Sequence, residues 1–358
     1  MPSSTTWELL KQAGRVLPMA LRLARRHFAP LVNAPKIQGR FGESRRLLLR
    51  TLGHDAEGLA YEANDWLMRT MAHECRRPGV TAVHAYEDCS LWSFEAAKHL
   101  GRACIYDMPI GYYPAWEQTQ AELIRCFADW LPAGGVPSSR LVRPQQKRRE
   151  MDLADLVLVP GSFVEKTIRA FHPEKVIARA AYGVDLDFWK PGPQRQAQGP
   201  LRFIYAGQIS LRKGIPGLLD AWEKAALAEA ELELVGLWQL SDSKQRSLPR
   251  GVICRPPCSP EGLRDRYCSA DVFVFPSYFE GFGLVLLEAM ACGLPAIASD
   301  ATAGPDILTQ ECGHIVPTGN VDALVDSLRW FYDNSYRLPA LRRAARVQAE
   351  AHTWARYR

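Results

Sequence analysis

Two glutamates, Glu280 and Glu288, lie eight positions apart in DVFVFPSYFEGFGLVLLEAMACGLPAIASD, Asp271–Asp300. The apolar run Val272–Phe275 reads as a buried strand ending at Pro276 and Ser277. The chain then turns through Glu280-Gly281-Phe282-Gly283 into a helix that Gly293 and Pro295 close. Glycine at 281 and 283 lets backbone N–H groups approach a ligand closely, and the helix N-terminus that follows is an anion site. Glu288 falls on the second helical turn while Glu280 stays in the loop, so both carboxylates can border one ligand. The spacing alone is no evidence, because Glu87 and Glu95, and Glu223 and Glu231, share it. The strand, glycine loop and helix around the pair single it out. An ordinary crossover with solvated carboxylates is the plain alternative.

A second loop has the same form. GQISLRKG, Gly207–Gly214, directly follows the strand-like Leu201–Ala206. A glycine at the strand's carboxyl end, then Arg212, Lys213 and Gly214 at a helix start, suits a diphosphate. A charged helix start with exposed Arg and Lys is the alternative, made less apt by two such loops at one edge of a sheet. Cys254 and Cys258 come nearest a metal spacing, but no second pair or His cluster completes it, and nine scattered cysteines read as reduced thiols.

These residues need elements to hold them. The 358 residues, 47% hydrophobic and 23% charged, fit two globular domains. No apolar run approaches a membrane span, and Glu8, Lys11 and Arg15 interrupt any signal-like start, which points to a cytoplasmic protein. The net charge of +5 is uneven: residues 1–50 carry ten Lys/Arg against Glu8 and Glu43, and the remainder is slightly acidic. Residues 7–77 read as helices, Leu59, Ala63, Trp66, Leu67 and Thr70 forming a core-facing stripe. From Val80 the texture alternates. Strands are expected at Val80–Tyr86, Ala103–Asp107, Asp155–Val159 and Val176–Ala181, with helices at Leu91–Leu100, Ala115–Trp130 and Ser162–Phe171, and Leu131–Pro144 as loop. Residues 183–200, rich in Pro and Gly, read as a linker. A second series follows, with strands Leu201–Ala206, Glu231–Gly236, Val252–Cys254, Asp271–Phe275 and Ala296–Ser299 and helices near 213–228, 260–268 and 283–292. The fold class is therefore α/β: two Rossmann-like domains, 1–182 (atypical and helical over 1–79) and 201–358, facing a cleft.

At this point a resemblance enters. YGVDLDFWKPG at Tyr182–Gly192, AGQISLRKG at Ala206–Gly214, PSYFEGFGLVLLEAMACGLPAIAS at Pro276–Ser299 and GHIVPTGNVDAL at Gly313–Leu324 resemble, in order, the nucleotide-sugar-binding domain of glycosyltransferase family 4, a retaining family of GT-B fold. The resemblance covers residues 155–358. It implies transfer of a sugar from a UDP- or GDP-linked donor to a glycan, lipid-linked or small-molecule acceptor, without metal or other cofactor. Gly207 opens the diphosphate loop and Lys213 resembles the family's basic residue on the diphosphate. The family's Arg after the first glycine is replaced here by Gln208, and Arg212 is a substitute source of charge. Glu280 resembles the glutamate on the donor sugar and Glu288 the one on the ribose. Amides of Gly281, Phe282, Gly283 and Leu284 would face sugar and phosphates. The Asp185/Asp187 pair sits in the linker motif and does not follow a strand, as a metal-binding pair should.

In the first half, Val83–Ala97 and Cys104–Tyr113 resemble the middle of the family's acceptor domain. Asp107 is the nearest match to the acid or histidine facing the anomeric carbon, a turn-forming Asp being its alternative. His84, as a lone strand histidine more often a core residue, and Glu87 are weaker candidates. The family's opening strand with its Gly-rich turn has no counterpart before Val80, and AHTWARYR resembles only the start of its final helix, so the chain reads as short at both ends. Residues 11–50 could rest on an anionic membrane surface, an ordinary solvated helix face being the plainer reading; nucleic acid is disfavoured. A non-catalytic nucleotide-sugar-binding protein or partner subunit, and another GT-B enzyme such as a nucleotide-sugar epimerase, remain alternatives.

Overall fold

The computed structural model of the protein describes residues 56–135, 143–192 and 199–357. The basic cluster and membrane-surface reading of residues 11–50, the helices expected before Ala56 and the middle of the linker lie outside them. The elements run α1 (Ala56–Glu74), β1 (Ala82–Tyr86), α2 (Leu91–His99), β2 (Ala103–Asp107), α3 (Tyr113–Cys126), α4 (Pro144–Leu153), β3 (Leu156–Val159), α5 (Ser162–Arg169) and β4 (Ile177–Arg179). After the linker come β5 (Leu201–Ala206), α6 (Ile215–Ala225), β6 (Ala230–Val235), α7 (Asp242–Arg246), β7 (Val252–Arg255), α8 (Pro260–Ser269), β8 (Val272–Phe275), α9 (Leu284–Ala291) and β9 (Ala296–Ser299). The chain ends through α10 (Gly304–Ile307), β10 (Gly313–Val316), α11 (Val321–Asp333), α12 (Leu338–Glu350) and α13 (Trp354–Tyr357).

Two parallel sheets result, ordered β1-β2-β3-β4 and β10-β9-β8-β5-β6-β7. Every residue of β8 and β9 is buried, as expected for strands covered on both faces by helices. In the six-stranded sheet the order reverses at the β5–β8 pair, where Phe203 lies opposite Val272 and Ile204 opposite Phe273. Loops leaving the carboxyl ends of two such strands diverge and leave a crevice, the usual ligand position in this architecture.

Among the described residues the chain divides into two compact units. The first holds the residues up to Cys104 and those from Arg143 to Leu153; the second holds Ile105 to Gly135 and everything from Ala154 onward. In the first unit α1 packs on α2, and α2 on α4. The expected stripe on α1 is corrected: Trp66 and Leu67 are 44% and 40% exposed, whereas Met68 is buried, as is Cys75 beyond the helix end; the Leu59 side chain lies outside those described. Helix α4 falls at the end of the segment read as loop. Its PQQKRREMDL sequence has no apolar period, and it forms because Pro144 starts it and its polar side chains have buried partners. Glu150, fully buried, accepts hydrogen bonds from the amides of Asp88, Ser90 and Leu91 at 3.0–3.1 Å and caps α2. Lys147 pairs with Glu87 at 3.0 Å and Asp88 at 3.1 Å.

Candidate donor site

Strand β5 delivers the first loop. Gly207 (φ +144°) donates to Val235 O at 3.0 Å, and its carbonyl would lie 1.7 Å from a Cβ at Gly236. The Tyr205 hydroxyl, beneath the loop, donates to Gln208 O at 2.6 Å. The residue standing where the family carries arginine is thus pinned through its backbone, and its side chain is exposed. The turn closes at Gly214. Its φ is +75°, and a Cβ on it would lie 2.1 Å from Pro276 O, which leaves room for no other residue. Arg212 and Lys213 are thereby aimed at the second loop.

That loop leaves β8. Tyr278 N donates to Arg212 O at 2.8 Å, tying the two together. The Arg212 guanidinium donates to Phe279 O (2.8 Å) and Glu280 Oε1 (3.2 Å), and Lys213 Nζ pairs with the same Glu280 oxygen. Lys213 and Glu280 are both buried, and Lys213 Nζ also sits 5.1 Å from the Phe275 ring centroid. Burial pulls the Lys213 ammonium below the ordinary lysine range, against the pull of Glu280. Gly283 (φ +83°) packs on Phe275, where a Cβ would meet the ring at 2.4 Å. The amides of Gly281, Phe282, Gly283, Leu284 and Val285 donate to none of the described residues. Those of Gly283, Leu284 and Val285 belong to the start of α9, which has no side-chain cap, and those of Gly281 and Phe282 to the loop before it.

Glu288 rides on the second turn of α9 with no hydrogen bond to its carboxylate among the described residues. Burial pushes its carboxyl up to about 7. The fully buried Tyr267 hydroxyl, without a hydrogen-bond partner, faces it electrostatically. The Ser210 hydroxyl, inside the first loop, is likewise buried and unpartnered.

The second unit also contains Asp107, the buried last residue of β2. The segment after it meets the Glu280 loop backbone to backbone: Gly111 N donates to Glu280 O at 3.3 Å, and a Cβ on Gly281 would lie 1.7 Å from Pro109 O. Phe279 closes the contact, its ring against Gly111 and 5.3 Å from both Trp116 and Phe163. Nothing in the sequence pattern singles out Phe279, which has no polar group to mark it. The structure therefore brings Gly207, Arg212, Lys213 and Glu280 through Glu288 to one edge and sets the Asp107 segment against them. It does not gather the weaker candidates. His84 is exposed, stacked on Tyr86, and so is no core residue. Glu87 is held by Lys147, with burial pushing its carboxyl up to about 7. Asp185 accepts from the amides of Asp187 and Phe188 at 3.1 Å, a turn cap.

An α/β protein of GT-B fold, with two glycine-bearing loops meeting where the strand order of its six-stranded sheet reverses, is what the structure defines. Residues 190–351 match the profile of the family described as Glycosyl transferases group 1. The O-antigen chain mannosyltransferase B of Escherichia coli is 34% identical over 164 residues, 42% of each chain. The chain spans about half the length of the curated relatives it matches. Among solved structures, sucrose-phosphate synthase from Thermosynechococcus elongatus superposes with a TM-score of 0.62 at 21% identity, covering 83% of this chain and 76% of that one. Anabaena HepE in complex with UDP superposes at 0.58 and 15% identity, covering 80% and 77%.

Proposed function

We propose that the protein is a retaining glycosyltransferase that moves a sugar from a nucleoside-diphosphate sugar to a glycan, lipid-linked or small-molecule acceptor. The observation that carries this reading is the convergence of Lys213 and Arg212 on one Glu280 oxygen beside the five unpaired amides of residues 281–285. A diphosphate entering there meets two cations and a helix N-terminus, and Glu280, partly released from them, is left to accept hydroxyls of the donor sugar. Negative charge grows on the diphosphate as the sugar bond breaks. Fixed donors aimed at it therefore stabilise the transition state more than the ground state. Glu288 takes the ribose hydroxyls. Asp107 borders the acceptor side, where the HepE complex and the O-antigen enzyme supply only analogies for donor and acceptor. The division into 1–182, a linker at 183–200 and 201–358 belongs to the same proposal, as does work in the cytoplasm, which suits nine free thiols.

The test is release of free nucleoside diphosphate from a panel of UDP- and GDP-sugars, with and without glycan and lipid acceptors. Transfer with the anomeric configuration kept, abolished in Lys213→Met, supports the reading. Tight binding of a nucleotide sugar with no release under any condition points instead to a non-catalytic binding protein.

A further inference from the structure

Phe279 stands between Tyr278 and Glu280 in the loop after β8, and it is buried at 2% exposure. Two anchors hold it. Its carbonyl accepts from the Arg212 guanidinium at 2.8 Å. Its ring lies in a seat made by the segment after β2 and by two helix starts. Trp116, in the first turn of α3, is tilted 50° to it, and Phe163, in the first turn of α5, meets it edge-on at 85°, each with centroids 5.3 Å away. Offset and edge contacts of this kind are favourable between aromatic rings. Gly111 lies directly against the ring, where a Cβ would be 2.4 Å from its Cζ. The seat is itself braced. Tyr112 N, just before α3, donates to Thr167 Oγ1 of α5 at 2.9 Å. Ser162, at the start of α5, donates through N and Oγ to Asp306 at 2.8 and 2.9 Å. The ring therefore rests on a frame built outside the donor loop.

The two anchors differ in what a ligand does to them. The Arg212 guanidinium is divided between the neutral Phe279 carbonyl and Glu280 Oε1 at 3.2 Å. A diphosphate offers it charged oxygens, which are stronger acceptors than a carbonyl, and draws it away from Phe279 O. The ring is untouched by that exchange. With the diphosphate in place, the ring and the 3.3 Å bond from Gly111 N to Glu280 O are what hold Phe279 and Glu280 on the side of the Asp107 segment.

We propose that Phe279 is a positioning residue for the donor sugar: its ring fixes Glu280 against the Asp107 segment once the diphosphate has taken Arg212. Placement of the sugar then depends on the ring, and binding of the nucleotide does not. Lys213, the amides of residues 281–285 and Glu288 hold the nucleotide without it. A shift of about 1 Å at a reacting centre can cost about a hundredfold in rate, so a loosened Glu280 is felt in turnover before it is felt in affinity. This role rests on the donor-site reading above.

Phe279→Leu and Trp116→Leu, the second leaving the donor loop intact, are compared with the wild-type full chain. Affinity for UDP and GDP is measured by calorimetry, and hydrolysis of the panel of UDP- and GDP-sugars is followed with water as acceptor. In both variants diphosphate affinity and KM should stay within about twofold while kcat falls about tenfold or more. Equal losses of affinity and turnover, or turnover kept in Phe279→Leu, overturn the proposal. Amide hydrogen exchange gives a reading free of activity. In the wild type, the nucleotide sugar should slow the Gly111 amide more than the matching diphosphate does, and Phe279→Leu should abolish the difference. A Gly111 amide indifferent to the sugar also overturns the proposal. A wild-type chain that binds nucleotide sugars but turns none over overturns the transferase reading, and the exchange result then decides on Phe279. Binding of no nucleotide at all overturns both.

Discussion

At the scale of single residues, Glu288 and Lys213 make opposite demands on their burial. Glu288 titrates near 7 instead of in the usual carboxylate range because it is desolvated. Its folded-state pKa is raised, so its contribution to stability is complete below the ordinary pKa and is lost as pH rises through about 7. Ribose hydroxyls hydrogen-bond the ionised form best. Donor binding therefore expels a proton below that pH, and affinity for a nucleoside-diphosphate sugar should climb toward pH 7 and level off above it. Titration calorimetry across that range checks this, and Glu288→Gln should flatten the profile. Glu288→Ala should weaken binding by about 1–3 kcal/mol; an unaltered affinity removes the ribose role. Lys213→Met leaves Glu280 with Arg212 alone and should cost about 1.5–3 kcal/mol of diphosphate affinity, read with the nucleoside diphosphate itself. A loss confined to turnover would mean that Lys213 does not hold the ground-state diphosphate.

At the scale of elements, the glycines of the two loops are set by neighbours, not by flexibility. A methyl at Gly281 would strike Pro109 O, and one at Gly111 would strike the Phe279 ring. Gly111→Ala should therefore separate the Asp107 segment from the donor loop and lower the thermal midpoint, with a cost of about 1–3 kcal/mol. Phe279→Leu combined with it should recover part of the loss, since the ring is the obstacle; no recovery would place the strain elsewhere. The parallel strands β1 to β9 are legible in the sequence to within a residue or two, because continuous apolar runs such as Val272–Phe275 between Gly/Pro turns have few alternatives, but β10, whose GHIV is short and carries a histidine, is not among the expected strands. Helix α4 is not, since PQQKRREMDL is stabilised by what Glu150 and Lys147 bind and not by an apolar stripe. The buried face of α1 differs from the expected one because Trp66 and Met68 offer two rival stripes, and only packing on α2 chooses. The candidate site residues are marked in the sequence by glycine-flanked motifs. Their partners are not: that Arg212 reaches Phe279 O, or that Asp306 accepts from Ser162 N and Oγ at 2.8 and 2.9 Å, depends on chain far away in sequence.

At the scale of the whole molecule, every candidate donor residue falls in one of the two compact units. A ligand stabilises the structure it binds. A nucleotide sugar should therefore slow amide hydrogen exchange in β5, β8 and α9 and leave β1, α2 and α4 unchanged. Equal protection of both sets would show that the units unfold as one. The Asp306 cap on α5 belongs to this scale too, since it joins the helix after β3 to α10, the short helix after β9. Asp306→Ala removes a charged cap and the Arg179 partner at 3.6 Å, and should lower stability by about 0.5–2 kcal/mol in urea unfolding, with the nucleotide affinity unchanged.

The β5–β8 pairing has one more consequence, in the time order of synthesis. The strands that deliver Lys213 and Glu280 are side by side in the sheet, yet α6, β6, α7, β7 and α8 separate them along the chain. A chain made from its N-terminus acquires the cation-bearing loop early and has nothing to complete it until β8 and α9 have been made. Nucleotide sugar can therefore give no help to the first half of folding. Capture of the ligand by nascent chains of increasing length would begin only after Glu288 emerges, so binding marks the moment when the long-range sheet closes.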